Sequence, residues 1–204
     1  MRSSPVTDHN LDILRQCVVL ATQRASNAMC DWTGGRISLS VDEVRRAPLE
    51  ELAMDLDGQS ELMTIVVLGI AGCGGGQMIL TFDHAGGRRL AASLLRREIG
   101  QSAMWSDLEQ SAIMETGNIL ASAYLSELTR LTGRTLRPTP PTFIQDYGAS
   151  VLEQTLMLQA LECDEALVCQ TRFKFDREDV DWSVFIVPGK ELLQALQQGA
   201  VSVC

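Results

Sequence analysis

The sequence contains few of the residues that metal chemistry or nucleophilic catalysis requires. Its 204 residues include two histidines, His9 and His84, and six scattered cysteines that form no C-x-x-C pair. Zinc sites combine such residues at short spacing, and a Ser–His–Asp or Cys–His enzyme would have to use one of the two histidines. We therefore expect no metal site and no catalytic triad, and we expect the cysteines to be free thiols in a reducing cytoplasm.

Long apolar runs and basic clusters are also scarce. The longest apolar run, Leu62–Ala71, is shorter than the roughly 18–20 residues that a membrane span needs, and the first ten residues lack the apolar core of a signal peptide. The net charge of −9 predicts an acidic surface that repels nucleic acid and anionic lipid. We expect neither as a partner. One dense basic cluster is present, which we expect to be solvated helix charge: Arg88, Arg89, Arg96 and Arg97.

Hydrophobic periodicity and the positions of glycine and proline predict two halves with the same order of elements. In the first half we expect a helix over 11–32, an extended piece over 36–44, strands over 62–70 and 76–82, and a helix over 86–97. In the second half we expect a helix over 107–131, a proline-rich extended piece over 134–143, strands over 152–161, 165–175 and 182–187, and a helix over 190–198.

An offset of 99 residues aligns these halves. It brings Thr33 and Gly34 onto Thr132 and Gly133. Self-similarity of this kind indicates an internal duplication. We predict an α+β fold in a three-layer α-β-α arrangement, with a mainly antiparallel sheet, two long helices and a pseudo-twofold axis. The chain, 1–204, is predicted to be a single domain made of two similar halves, about 8–100 and 106–200.

A glycine-rich run between the first two strands resembles a phosphate-binding loop at first sight. A P-loop needs a lysine and a hydroxyl residue directly after its last glycine, whereas here Gly76 is followed by Gln77. A hairpin turn that uses the positive φ angles open to glycine explains the run more simply.

The helix over 107–131 has two different sides. Ser106 and Glu109 have the spacing of a capping box, and Gly133 suits the end of the helix. On the side opposite the expected core lie Glu115 and Asn118, whose side chains are neighbours because they are three residues apart. At 100° per residue the core side is formed by Ile113, Leu120, Tyr124, Leu128 and Leu131.

Large apolar residues border the polar side of this helix: Leu108, Met114, Ile119 and Leu125. Apolar groups beside an acid favour a docking surface. An ordinary amphipathic helix explains the same pattern, so the periodicity by itself does not decide between the two.

The segment Ser111 to Gly133 resembles the active-site helix of the CheC-type chemotaxis phosphatases. That family's signature is an Asp or Ser, three residues, Glu, two residues, Asn, about twenty-two residues, and Pro. Ser111, Glu115, Asn118 and Pro141 match it here. The resemblance extends, through the duplicated layout, over most of the chain from about residue 11 to 198.

The first half departs from the family pattern at the positions that carry the chemistry. Asp12 keeps the leading position, but Gln16 stands where a glutamate is expected and Val19 where an asparagine is expected. Asp42 occupies the position of the proline. Because valine has no amide, we expect this first site to be degenerate.

The resemblance implies a protein phosphatase that acts on the aspartyl phosphate of a CheY-type response regulator in chemotaxis or a related two-component pathway. Asn118 would position the attacking water, and Glu115 would pair with a lysine of the regulator. Mg²⁺ would be supplied by the regulator, with no cofactor bound by this chain.

The family leaves a non-catalytic alternative open, because flagellar switch proteins share the duplicated fold. The chain would then be a scaffold or binding module for a phosphorylated regulator or for a CheD-type deamidase. Switch proteins carry further binding segments at their ends, and we expect none here because about ten residues precede the first helix. The intact Glu115, Asn118 and Pro141 favour the enzyme.

Overall fold

The computed structural model describes residues 8–35, 37–48, 62–98, 104–147, 165–175 and 178–202. The helices among these residues are α1 (Asp8–Thr33), α2 (His84–Leu94), α3 (Asp107–Thr132) and α4 (Lys190–Ser202). The strands are β1 (Ile37–Pro48), β2 (Leu62–Ala71), β3 (Gly76–Asp83), β4 (Arg137–Pro138), β5 (Thr142–Tyr147), β6 (Glu165–Phe175) and β7 (Glu178–Pro188).

The described strands form one seven-stranded sheet, and every ladder among them is antiparallel. Its order is β1-β6-β7-β3-β2, and β4 and β5 both pair with β2. The glycine-rich run is the turn of the β2–β3 hairpin, with positive φ angles at Gly72, Gly74 and Gly75. The predicted hairpin and the predicted α+β class with an antiparallel sheet and two long helices are confirmed.

The strand order is unchanged when the two halves of the chain are exchanged. β1 of the first half pairs with β6, just as β5 of the second half pairs with β2, and β3 and β7 pair with each other between them. The long helices α1 and α3 each contain 26 residues. Both ends of α3 follow those of α1 by 99 residues, as 107 follows 8 and 132 follows 33. This symmetry is what a pseudo-twofold duplication produces.

Side chains alternate between the two faces of the sheet along each strand, and the buried residues therefore form two separate clusters. Val66, Leu68 and Ile70 of β2 join a core to which all four described helices contribute. Met63 and Ile65 point to the other face, where the second cluster contains strand residues alone among those described. The α-β half of the predicted three-layer arrangement is therefore present, and its second helical layer stays a prediction.

The two long helices are joined by polar contacts as well as by apolar packing. The hydroxyl groups of Thr22 and Tyr124 are 2.5 Å apart in a buried hydrogen bond. Glu127, which is 3% exposed, lies 2.6 Å from Arg24 of the opposite helix. The hydrogen bond and the ion pair fix α3 against α1 and so help to position the face of α3 that points away from the core. The charge of Glu127 also acts on α1, because burial, reinforced by this charge, raises the pKa of the Cys17 thiol to about 11.

The helix predicted over 86–97 runs from His84 to Leu94, because Asp83 caps it and the chain leaves the helix at Arg96, whose φ is +53°. The strand predicted over 152–161 lies outside the described residues. No described helix combines the length and the apolar character needed to cross a membrane.

Candidate active site

The start of α3 is held by a complete capping box. The Ser106 hydroxyl accepts a hydrogen bond from the backbone N–H of Glu109, and Oε2 of Glu109 accepts one of 2.8 Å from the backbone N–H of Ser106. The same carboxylate oxygen lies 3.1 Å from Arg88. Burial opposes the charged form of Glu109, but the hydrogen bonds from Ser106 and the charge of Arg88 outweigh it, so the pKa of Glu109 is lowered. The predicted cap is confirmed.

Arg88 corrects the prediction that the basic cluster is solvated. Its side chain is 6% exposed and lies over the ring of Trp105, 4.9 Å from the ring centroid. Desolvated guanidinium groups require such partners. The sequence placed Arg88 among surface charges because nothing in its neighbourhood along the chain reveals that Glu109 and Trp105 surround it.

The middle of α3 rests on β2 through a residue without a side chain. Gly117 is buried, and a Cβ atom added to it would lie 2.8 Å from Cγ1 of Val66 and 3.6 Å from Cδ1 of Leu68. The 2.8 Å distance to Val66 is shorter than a van der Waals contact between carbon atoms. The helix can therefore occupy its present height above the sheet because position 117 is glycine.

Glu115 and Asn118 lie on either side of Gly117 along α3. Nδ2 of Asn118 donates a hydrogen bond of 3.3 Å to Oε2 of Glu115. Glu115 is exposed and Asn118 half-buried. Ser111, one turn before Glu115, is exposed as well. The structure thus brings three of the four signature residues onto one accessible face of α3.

Pro141, the fourth signature residue, lies beside β2 and directly precedes β5. The chain before it is fixed to β2, since the backbone N–H of Gly69 donates a 2.8 Å hydrogen bond to Oγ1 of Thr139. The chain after it forms β5, in which Thr142 pairs with Val67. This register places Pro141 alongside the part of β2 on which Gly117 rests.

The apolar border of the site differs from the prediction at one residue. Leu108 is 47% exposed, two turns before Glu115, and Met104 just before the helix is 79% exposed. Met114 and Ile119 are half-buried. Leu125, by contrast, is 1% exposed, because it faces the core with Tyr124. The exposed apolar border therefore lies at the N-terminal end of α3.

The first site, which the sequence predicts to be degenerate, lies mainly on the corresponding face of α1. Gln16 is exposed, and Val19 is 46% exposed. Asp12 is in the same helix, and Asp42 lies in β1 at an irregularity of the ladder between Val41 and Glu43. The face of α1 that corresponds to the Glu115–Asn118 face thus presents an amide and an apolar group in place of a carboxylate and an amide.

Within the described residues, no group of three or more His, Cys, Asp or Glu side chains has the arrangement of a metal site. The chemistry available on α3 is that of a carboxylate next to an amide. Together they offer hydrogen-bond acceptors, amide donors and one negative charge on an open surface. Such a pair can orient a water molecule and bind a cation of a partner protein.

The same fold occurs in FliY and CheX proteins of known structure. FliY of Thermotoga maritima superposes with a TM-score of 0.76 at 15% identity, with 99% of each chain covered. CheX of Borrelia burgdorferi, solved in a complex with CheY, BeF₃ and Mg²⁺, superposes with a TM-score of 0.52 at 20% identity, covering 87% of this chain and 97% of that one.

Sequence similarity points to one family within this fold. Residues 108–144, which include Glu115, Asn118 and Pro141, match the model of the CheC-like family. CheC1 of Halobacterium salinarum is 27% identical over 69% of this chain and 74% of its own length. The CheY-P phosphatase CheC of Bacillus subtilis is 24% identical over 94% and 93%. These similarities agree with the resemblance to the CheC-type family that the signature residues on α3 indicate.

Proposed function

We propose that this chain accelerates hydrolysis of the aspartyl phosphate of a CheY-type response regulator. The observation that carries the proposal is the hydrogen-bonded Glu115–Asn118 pair on an exposed face of α3. The name of the Bacillus subtilis relative and the CheX–CheY complex support it.

Asn118 would position the attacking water. One N–H of its Nδ2 is engaged by Glu115, which leaves the second N–H and both lone pairs of Oδ1 for other groups. The oxygen would accept a hydrogen bond from the water while the free N–H donates to a phosphoryl oxygen. A glutamine orients water in this way in GTPases, and positioning alone can supply a large part of a barrier.

Glu115 would dock the regulator. Its Oε2 holds Asn118, so Oε1 is left to accept from a lysine that lies beside the aspartyl phosphate of the regulator. An ion pair that an interface closes off from water is worth more than one on an open surface. Each oxygen of the Glu115 carboxylate would then accept one hydrogen bond, Oε1 from the partner's lysine and Oε2 from the amide that holds the water.

The remaining requirements of the reaction would be met by the partner. The phosphoryl group is attached to an aspartate of the regulator, and Mg²⁺ bound there would neutralise the developing charge. No covalent intermediate forms on this chain. A cytoplasmic location is part of the proposal.

A binding module is the second candidate, and the α1 face is the observation that favours it. Val19 exposes 46% of its surface where the active helix carries an asparagine. A chain that has lost the chemistry of one site could use both faces for binding alone.

A phosphate-release assay separates the two candidates. Response regulators from the same organism are phosphorylated with a small phosphodonor, and phosphate release is followed with and without the chain. We expect catalytic amounts of the chain to accelerate release from at least one regulator. Binding of the phosphorylated regulators without acceleration from any of them would instead establish the binding module.

A further inference from the structure

We infer that Gly117 is a positioning residue of this site. Because it has no side chain, α3 rests directly on Val66, and this contact sets the distance of Glu115 and Asn118 from the sheet. Its effect on turnover rests on the function proposed above. Its effect on the geometry of the site does not.

Glycine in the middle of a helix is unfavourable, since it loses more conformational freedom on folding than alanine does. Gly117 lies in the interior of a 26-residue helix. Its replacement by alanine would strengthen an isolated helix, so the helix alone does not account for it. The contact with β2 does, because a Cβ at position 117 would meet Cγ1 of Val66 at 2.8 Å.

Val66 has little freedom to move away from a Cβ added at position 117. It is fully buried, and its strand is paired on both sides at this position, with Leu80 of β3 and with Phe143 of β5. Valine is also stiff about χ1. An added methyl group must therefore be accommodated by α3, which would have to rise by about 1 Å to reach an ordinary carbon–carbon distance. Asn118 is the next residue along the chain and would move with it.

The other long helix provides an internal comparison. The 99-residue offset brings Val18 of α1 onto Gly117, and Val18 is 1% exposed. The helix whose signature pair is lost thus carries a buried side chain at the position where α3 carries none. This is the pattern expected if the missing side chain serves the pair on α3 rather than the fold as a whole.

The inference is tested with Gly117→Ala, Val66→Ala and the combination of the two, with Ser126→Ala as the control. Ser126 is exposed on α3, two turns beyond Asn118, so that its replacement raises helix propensity without touching β2. The side-chain amide signal of Asn118 is followed by NMR, with Asn118→Ala to assign it, and turnover of the phosphorylated regulator is measured in parallel.

We expect Gly117→Ala to shift the Asn118 amide signal and to lower kcat by about 10²-fold, the loss that a 1 Å misplacement produces. The half-saturating concentration of the regulator should change much less. Val66→Ala removes the methyl group that the new Cβ would meet, so the double variant should recover both the signal and most of the turnover. Ser126→Ala should change neither.

Gly117→Ala with an unshifted amide signal and normal turnover would overturn the inference, as would a loss that Val66→Ala fails to restore. If the parent chain accelerates no regulator, the proposed function fails, and the NMR comparison still decides whether Gly117 sets the position of Asn118.

Discussion

The side-chain nitrogen of Asn118 donates a 3.3 Å hydrogen bond to the carboxylate of Glu115, so the two groups of the candidate site are coupled before any partner binds. The carboxylate engages one N–H of the amide and so restrains its orientation. A change at Glu115 can therefore act in two ways, through the charge that it offers to a partner and through the orientation of Asn118.

Glu115→Gln separates these two effects. Glutamine can still accept a hydrogen bond from Asn118, but it has no charge for the regulator's lysine. We expect binding of the phosphorylated regulator to weaken by roughly 2 kcal/mol, in the range found for charge pairs in interfaces, and its salt dependence to fall. Titration calorimetry at two ionic strengths measures both quantities.

A double-mutant cycle with the regulator's lysine provides the control. If the two groups are in contact, replacing the lysine after Glu115 should add little further loss. Full additivity of the two losses would show that Glu115 does not contact this lysine and acts within its own chain.

The corresponding face of α1 should be catalytically silent. Val19 cannot orient water, and Gln16 carries no charge. We expect the combined replacement Gln16→Ala and Val19→Ala to leave kcat within about twofold of the parent, since both side chains are exposed and contribute little to the fold. Circular dichroism checks folding. A large loss of turnover in a folded variant would mean that α1 takes part in the reaction.

Mg²⁺ should act through the regulator alone. We expect calorimetry of this chain by itself to give no stoichiometric heat with Mg²⁺ or Zn²⁺, while removal of Mg²⁺ from the phosphorylated regulator abolishes the acceleration. A tight site on the chain that is lost in Glu115→Gln would contradict the proposed division of labour.

The cap of α3 should make stability depend on pH. Because the pKa of Glu109 is lowered in the folded protein, its contribution is complete above its unfolded pKa of about 4.5 and disappears as pH falls through the lower, folded value. Glu109→Gln should reduce the free energy of unfolding by about 1–2 kcal/mol at pH 7. It should cost progressively less as the pH falls below 4.5. Urea unfolding at several pH values measures this, and an equal loss at all pH values would show that the charge is not responsible.

The fold was predictable where local signals and global packing agree. The long helix ends at Gly133, whose φ of +65° is the left-handed conformation that glycine favours. The hairpin glycines act in the same way. The pairing of β1 with β6 and of β5 with β2 was not predictable in detail, because register depends on partners that lie far away along the chain.

The residues of the candidate site could be proposed from the sequence, but their structural support could not. The family signature indicates Glu115 and Asn118, whereas their spacing alone also fits an ordinary amphipathic helix. The role of Gly117 could not, because what matters is its distance to Val66 on another element. A glycine between two signature residues in a helix interior was the available signal. The burial of Arg88 could not be predicted for a similar reason, since Trp105 and Glu109 surround it only in the folded structure.

The most direct measurement of the central claim compares Asn118→Ala with the parent chain in two assays on one phosphorylated regulator. Phosphate release reports the positioned water, and binding to the regulator held in its active form by beryllofluoride reports docking. We predict that Asn118→Ala loses at least about 10²-fold in turnover, because no other group at this position can orient the water. Its affinity for the regulator should stay within about threefold. Unchanged turnover in the Asn118→Ala variant would contradict the claim that this amide carries the reaction.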